Sequence, residues 1–116
     1  MNCNLTIAEE FCKIFYSRMS TNIPSIYNLY SPSAMCIVNN INKHIMTCGV
    51  LTFEYHNLTR NVVSIDQNNL IITVAGMLRM CYSHNSYSQW TNFGEIFILT
   101  NNNNIYTINT HVLNTI

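Results

Sequence analysis

Residues 70 to 82, LIITVAGMLRMCY, decide the fold class of this chain. Their side chains alternate between two faces from one residue to the next, which is the period of a β-strand and not of a helix. One face carries Leu70, Ile72, Val74, Leu78, Met80 and Tyr82. The opposite face carries Ile71, Thr73, Ala75, Met77, Arg79 and Cys81. Both faces are mainly apolar, so we expect both to be covered in the working protein.

The segments on either side of this stretch have the same strand-like character. Thr52 to Ile65 is rich in threonine, tyrosine, phenylalanine and valine, and both Trp90 to Thr100 and Ile105 to Leu113 alternate again. The segments between the strands consist of turn-forming residues: Asp66 to Asn69, Ser83 to Gln89 and Asn101 to Asn104. This order predicts an antiparallel meander of long strands joined by three hairpins.

The beginning of the chain has a helical period instead. Thr6 followed by Glu9 fits a capping box, so we expect a helix to begin near Asn4 or Thr6. Apolar residues then recur at helical spacing: Leu5, Ala8, Phe11, Cys12, Phe15 and Met19.

Three shorter elements are predicted between this helix and the meander. A second helix should cover Ile23 to Tyr30 and end before Pro32, and a short strand should cover Ala34 to Val38. Asn42 to Cys48 is ambiguous, and its apolar spacing fits a third short helix that Gly49 closes. The predicted fold class is α+β, with all 116 residues in one domain and N-terminal helices on a curved, mostly antiparallel sheet.

The second face of the predicted sheet is the main indication of function. A sheet that is covered on one side only should be polar on its other side. Here that side is small, apolar and almost without charge, which indicates burial against a second protein chain. We predict a dimer interface from six residues: Thr73, Ala75, Met77, Ile96, Ile98 and His111. The alternative is a core packed on both sides by the chain's own helices, but the predicted helices are too few to cover both faces.

Composition excludes several classes of function. Five acidic and five basic residues leave no basic stripe for a phosphate backbone, so direct nucleic-acid binding is not expected. No apolar run approaches the roughly 20 residues that span a bilayer, and the N-terminus lacks a secretory signal, so no membrane association is expected. The five cysteines contain no C-x-x-C pair, which argues against zinc and disulfides and favours reduced thiols in a cytosolic or nuclear protein.

Residues that could carry catalysis are scattered along the sequence. The single aspartate, Asp66, lies in a predicted turn, and no histidine is joined to a carboxylate at a recognisable spacing. The four histidines are His44, His56, His84 and His111. The tyrosines that could line a cavity, or simply pack in the core, are Tyr16, Tyr27 and Tyr106. The three separated glycines form no phosphate-binding loop, so we expect no enzyme, no cofactor and no metal.

The order of these elements resembles the nuclear transport factor 2-like fold, in which a cone of sheet surrounds a long helix. The likeness covers nearly the whole chain, and Gly76 stands where the family has a glycine at the end of an apolar strand. The segments that carry it are AEEFCKIFYSRM (8–19), IYNLYSPSAMCIV (26–38), VVSIDQNN (62–69), LIITVAGMLRM (70–80), NFGEIFILT (92–100) and IYTINTHVL (105–113).

This resemblance implies a function in transport. Within the fold, the chain resembles most the small cofactor that pairs with the messenger-RNA export receptor. The resemblance implies a non-enzymatic adaptor that occurs in nucleus, cytoplasm and the pore of the nuclear envelope. It implies a homodimer, or a heterodimer with a nuclear transport factor 2-like partner, and Phe-Gly nucleoporins as further partners. Steroid isomerases and dehydratases resemble the same fold, so a cone-fold enzyme is a further alternative.

Two departures from the family's patterns bear on the partner. The carrier of Ran-GDP has acidic residues beside the mouth of its cone, and the matching positions here, Asn39, Cys81 and Ser83, hold no acid. The resemblance therefore argues against Ran carriage. Near the C-terminus, Thr110 to Leu113 replace an Asp-x-Phe-Arg pattern, so the arginine that would pair with an acid on the partner receptor is missing.

A stress-granule scaffold with a similar domain provides a competing function. That domain holds Phe-Gly peptides in a groove between the first helix and the last strand. On this resemblance the matching residues are Phe11, Leu29 and Ile105, and sealing of the core is their alternative role. We add Phe15 to this predicted peptide-binding set. We expect Phe11 and Phe15 to point into the bowl of the sheet, with Tyr16 nearer its rim. One inserted phenylalanine ring would contribute roughly 2 kcal/mol, enough for weak contacts only.

Overall fold

The computed structural model describes residues 3–45, 49–83 and 85–116. Helix α1, Cys3–Thr21, opens the chain, and a 3₁₀ helix, Ile23–Leu29, follows it. The buried residues of α1 recur at helical spacing, as predicted: Ala8, Cys12, Phe15, Tyr16 and Met19. Within the described ranges, no helix has the length and apolarity needed to cross a membrane.

Seven strands in the described ranges form one curved sheet. They are β1 (Tyr30–Val38), β2 (Ile41–Asn42), β3 (Thr52–Ser64), β4 (Asn69–Ser83), β5 (Ser86–Tyr87), β6 (Thr91–Asn102) and β7 (Ile105–Thr115). The strand order is β2-β1-β7-β6-β4-β3, and β5 pairs with β4. The predicted meander is confirmed, because β3–β4, β4–β6 and β6–β7 are all antiparallel pairs. The β1–β7 pair is parallel and had no signal in the sequence.

The elements between α1 and the meander differ from the prediction in three ways. Strand β1 begins at Tyr30, before the predicted Ala34, and so includes Pro32. Proline lacks an N–H, and the β1–β7 register is irregular between Tyr30 and Met35, so no ladder bond needs that N–H. The second helix is a 3₁₀ helix. Ile41–Asn42 pairs with β1, so the start of the predicted third helix is wrong, and 46–48 lie outside the described residues.

Asparagine pairs form two of the tight turns. Asn39 and Asn40 link β1 to β2, and Asn103 and Asn104 link β6 to β7, each as a two-residue loop. All four have positive φ, between 49° and 67°. A hairpin loop of this length needs left-handed backbone at both positions, and asparagine tolerates that conformation better than most residues. Part of the high asparagine content therefore has a structural role.

The helices cover only the inner, concave face of the sheet. The largest side chains between helix and sheet are almost fully buried: Phe15, Phe53, Phe97, Ile72, Leu78, Leu99 and Ile108. The ring of Phe97 meets Phe11 and Phe15 edge to face, with centroids 4.9 Å and 4.8 Å away. The predicted direction of both helix phenylalanines, into the bowl of the sheet, is confirmed.

A bulge in β3 packs on Gly76 of β4. The β3–β4 register shifts between His56 and Thr59, and Asn57 within the bulge has a φ of 56°. A Cβ atom on Gly76 would lie 2.9 Å from the backbone oxygen of His56 and 3.0 Å from Leu58 Cδ2. Glycine at this position therefore allows the two backbones to approach closely.

We expect Gly76→Ala to lower the free energy of unfolding by about 1–3 kcal/mol, because the new methyl group overlaps backbone that cannot move freely. Urea denaturation measures this change. Gly94→Ala is the matched control, since a Cβ on Gly94 of β6 meets no atom within 4 Å. It should change stability by less than about 1 kcal/mol. Equal effects of the two substitutions would contradict the role assigned to the bulge.

Candidate functional site

Four buried side chains form a continuous line of hydrogen bonds through the core. The Tyr16 hydroxyl donates to Glu95 Oε1 at 2.6 Å. His111 Nε2 lies 2.5 Å from Glu95 Oε2. On the other side of the imidazole ring, the Tyr30 hydroxyl lies 2.7 Å from His111 Nδ1. We call these four residues the buried network.

Four different elements position the buried network. Tyr16 lies on the buried face of α1, and Tyr30 is the first residue of β1. Glu95 alternates with inward-facing phenylalanines on β6, at positions 93 and 97. Phe97 is the register partner of His111 on β7, which places the imidazole diagonally opposite the Glu95 carboxylate. The network therefore exists only when helix and sheet have both formed.

The buried polar groups of the network need all of its hydrogen bonds, because water does not reach them. Glu95 is 2% exposed and His111 is 1% exposed, so water cannot satisfy either group. An ionised carboxylate only accepts hydrogen bonds, so His111 Nε2–H must donate to Glu95. In a neutral imidazole, Nδ1 then accepts the proton of the Tyr30 hydroxyl. Hydrogen bonds thus run from the Tyr30 hydroxyl through the His111 imidazole to the Glu95 carboxylate. The carboxylate also accepts a hydrogen bond from the Tyr16 hydroxyl.

Burial keeps the two phenols protonated. It raises the pKa of Tyr16 well above its ordinary value, and the nearby charge of Glu95 adds to this effect. The pKa of Tyr30 is raised strongly, first by burial and then by Cys36 and Glu95. Both tyrosines therefore act as hydrogen-bond donors at neutral pH, and neither is a phenolate nucleophile.

Aromatic rings enclose the middle of the network. Phe97 stacks on His111 with centroids 4.6 Å apart, and Phe15 meets the same imidazole edge to face at 5.5 Å. The two ends reach separate cavities. Tyr16 lines one of about 270 Å³ between α1 and β3, and Tyr30 lines one of about 320 Å³ beside the 3₁₀ helix. Tyr16 and Tyr30 are therefore the members of the network that line these two cavities.

Sequence reasoning missed this network. No histidine stands at a recognisable sequence spacing from a carboxylate, yet His111 bonds Glu95 across a strand pair. The expected position of Tyr16 near the rim is also wrong, since it is 7% exposed and bonded inside the core. One signal was present: in NFGEIFILT, Glu95 occupies an inward phase of an otherwise apolar alternation. A charge at such a position needs a buried partner.

Two further candidate acid–base groups, Asp66 and His56, lie on the surface. Asp66 lies in the β3–β4 turn, where the backbone N–H of Asn68 and the side chain of Asn69 lower its pKa. His56 is exposed and stacks on Trp90, with centroids 4.1 Å apart. His84 lies outside the described residues. In the described ranges no three histidine, cysteine or carboxylate side chains form a metal-binding group.

The described cysteines are free thiols. Cys12 and Cys36 face the core, and burial raises the pKa of Cys12 to about 11 and also raises that of Cys36. Both therefore remain as uncharged thiols at neutral pH and are poor nucleophiles and poor metal ligands.

Most of the predicted interface residues lie on the outer face of the sheet. Thr73, Ala75 and Ile96 are exposed, and Met77 and Ile98 are half-buried. No described helix covers them. His111 was assigned to the same interface, and this assignment is wrong, because the side chain is buried. The reason is a bulge: the β6–β7 register skips Asn109, which turns His111 inward against a strict alternation.

The outer face carries apolar residues side by side across four strands. Thr73 of β4 is the register partner of Ile96 on β6, and Ile96 is the partner of Val112 on β7. Val112 is in turn the partner of Ile37 on β1. We call these four residues the outer row. Ile96 is 40% exposed and the row contains no charge, so the predicted uncovered apolar face exists.

The structure brings only some of the predicted peptide-binding residues into one groove. Phe11 and Leu29 line one surface groove of about 460 Å³ with Ile14 and Tyr106. This groove runs between α1 and the β6–β7 turn. Ile105 is 66% exposed but is not part of the lining. Phe15 is fully buried, so its assignment to a peptide-contacting set is wrong.

Comparison with solved structures identifies this architecture. Nuclear transport factor 2 from Cryptosporidium parvum matches 99% of this chain and 96% of its own, with 18% sequence identity and a TM-score of 0.77. The chain has the nuclear transport factor 2-like fold. The predicted fold class and the resemblance on which it rested are confirmed.

Proteins with this nuclear transport factor 2-like fold include both transport factors and enzyme-like members. The Mtr2–Mex67 M domain complex of Candida albicans matches 97% of this chain and 94% of that chain, with 8% identity and a TM-score of 0.70. A protein provisionally assigned as a scytalone dehydratase, from Novosphingobium aromaticivorans, matches 99% and 86%, with 8% identity and a TM-score of 0.73. No protein-family model and no curated protein matches the sequence. At these identities the likeness establishes the fold and not the activity.

Removal of one hydroxyl tests the buried network. Tyr16→Phe keeps the ring and removes only the donor to Glu95, so we expect it to lower the free energy of unfolding by about 1.5–3 kcal/mol. Tyr27→Phe is the control, because Tyr27 is 67% exposed, and its effect should stay within about 0.5 kcal/mol. Urea denaturation of both variants decides the point. A Tyr16→Phe variant as stable as the parent protein would show that the bond to Glu95 contributes nothing.

Proposed function

We propose that this protein is a non-enzymatic, dimerising adaptor of nucleocytoplasmic transport. In this function it occurs in nucleus, cytoplasm and at the nuclear pore, and it supports the passage of messenger RNA or protein cargo through a partner receptor. The partner chain is a second copy or another protein of the same fold. The outer face of the sheet is the observation that carries the proposal.

The outer row has the composition of a protein interface. Its aliphatic side chains stand side by side on a rigid sheet, and no charge interrupts them. Ile71 and Ile98 form a second pair next to the row, in register across β4 and β6. Burial of the exposed part of these side chains in an interface would stabilise a complex by roughly 25 cal/mol per Å² of apolar surface. A large apolar patch left in water would instead promote aggregation.

Solved structures with the same fold support a transport role for this protein. One solved structure is a complex between Mtr2 and the M domain of Mex67, and its matching chain has this fold. A heterodimer is therefore a natural form of the proposed complex. The outer face of this chain, which is uncharged along the outer row, would fit a partner sheet with an equally apolar surface.

The groove beside α1 supports a second contact, with Phe-Gly peptides. Phe11 and Leu29 supply an aromatic and an aliphatic wall, and Tyr106 supplies a further ring. A peptide phenylalanine between such walls binds weakly and reversibly, as passage through a pore requires. A peptide-binding scaffold of stress-granule type would use the same groove. Capture of nucleoporins or of a granule component distinguishes the two.

Substitutions at two residues of similar exposure distinguish the outer face from the groove. Ile96 is 40% exposed on the outer face, and Ile14 is 44% exposed at the groove. We expect Ile96→Asp to convert a dimer to a single chain of 13.4 kDa in light scattering, because it places a carboxylate in an apolar interface. Ile14→Asp should leave the mass unchanged. A parent protein that is already a monomer, or a dimer that survives Ile96→Asp, would contradict the interface.

The same pair of variants tests the groove. In a titration with a soluble Phe-Gly repeat peptide, followed by NMR, Ile14→Asp should weaken binding by about tenfold or more, and Ile96→Asp should bind like the parent protein. The weakened variant loses an apolar wall and gains a desolvated charge. Peptide binding that is equal in all three proteins would place the contact elsewhere.

An enzyme of dehydratase type is the second candidate, and the buried network favours it. A carboxylate, an imidazole and two phenols in line are groups that could remove a proton and stabilise an oxyanion. Loss of water from a small β-hydroxy ketone, followed by the absorbance of the enone, tests this activity. We expect no rate above buffer. A rate that Glu95→Gln abolishes while the fold is kept would favour the enzyme over the adaptor.

A further inference from the structure

A cavity of about 320 Å³ lies where the 3₁₀ helix meets the start of β1. Its lining includes Tyr27, Tyr30, Ser31, Ala34, Cys36 and His44. It shares only Tyr30 with the buried network and no residue with the groove beside α1 or with the outer row. The adaptor function proposed above therefore makes no use of it.

The walls of this cavity are flat and aromatic. The rings of Tyr30 and His44 lie against each other with centroids 4.3 Å apart, and Tyr27 lies 6.4 Å from the same imidazole. Pro32 and Ala34 add small apolar surfaces from the irregular start of β1. Rings of this kind pack best against another planar, apolar group.

A buried hydroxyl in the lining lacks a hydrogen-bond partner. The Ser31 hydroxyl is buried and makes no hydrogen bond to any described residue. A buried hydroxyl without a partner loses the hydrogen bonds that water would give it, so an occupant that supplies one is favoured. The hydroxyl both donates and accepts, so a single hydroxyl or amide on the occupant is enough.

The lining carries no charge that could select an ion. No acidic residue, lysine or arginine is part of it. Burial, and next the neighbouring His111, lowers the pKa of His44, so its imidazole is neutral at neutral pH. Phosphates, carboxylates and ammonium groups would therefore lose their hydration in this cavity without gaining a counter-charge.

We propose that this cavity is a binding site for a neutral, bicyclic aromatic compound with one hydroxyl or amide group, which hydrogen-bonds to Ser31. The volume favours two fused rings, because a cavity of about 150 Å³ accepts benzene and this one has about twice that volume. The site goes beyond the adaptor function, and it stands whether the chain is a dimer or a monomer.

Three probes of the same ring system test the proposal on the chain of 116 residues. Titrations are followed by NMR shifts of the Tyr30 and Ala34 amides. 2-Naphthol should bind saturably, naphthalene should bind more weakly, and 2-naphthoate should not bind, because its carboxylate has no partner. No saturable binding of 2-naphthol, or tighter binding of 2-naphthoate, would overturn the proposal.

Three substitutions assign the binding to this cavity. Ser31→Ala should weaken 2-naphthol by about fivefold to tenfold and leave naphthalene unchanged, because only the hydroxyl contact is lost. Ser33→Ala, on the same strand but exposed, is the matched control and should have no effect. Ala34→Leu fills the cavity and should weaken both probes more than tenfold in a protein with an unchanged circular dichroism spectrum. If Ser31→Ala leaves 2-naphthol unaffected, Ser31 is satisfied by water only and the proposal fails.

Discussion

The carboxylate of Glu95 can be buried only because two donors reach it inside the core. Tyr16 brings one from the helix, and His111 brings the other from the neighbouring strand. Tyr30 then fixes the imidazole from its far side. A buried carboxylate that loses its ion-pair partner typically costs about 3–5 kcal/mol, more than the loss of one neutral donor, and this is a large part of the stability of a small domain. This requirement sets the position of α1 on the sheet more tightly than apolar packing alone, which tolerates small shifts.

Hydrophobic periodicity was enough to predict the architecture. Alternation in β4, β6 and β7 and the composition of β3 gave the meander, and helical spacing gave α1, because these patterns are local and each element is long. The parallel pairing of β1 with β7 could not be predicted in this way, since no local pattern states which remote strand completes a sheet. Asn103 and Asn104 were recognised as turn material and Asn39 and Asn40 were not, and the left-handed backbone of both pairs is visible only in the structure.

The candidate sites also differ in whether a local sequence pattern predicts them. The outer face follows from strand period, and Thr73 and Ile96 of the outer row were predicted, whereas Ile37 and Val112 were not. The buried network depends on hydrogen bonds between residues 79 and 81 positions apart in the sequence, so no local sequence pattern connects its members. A single bulged residue, Asn109, reversed the direction of His111 and moved it from the predicted interface to the core. Bulges shift the phase of a strand without changing its composition.

The pairing of β1 with β7 has a consequence for how the protein is made. β1 leaves the ribosome early, but the strand that pairs with it along most of its length is the last element of the chain. Until that strand emerges, one long edge of β1 has no neighbour and Tyr30 has no imidazole to bond. Such long-range closure is slow compared with hairpin formation. The growing chain therefore passes through a stage with an open sheet edge, during which chaperone protection would limit aggregation.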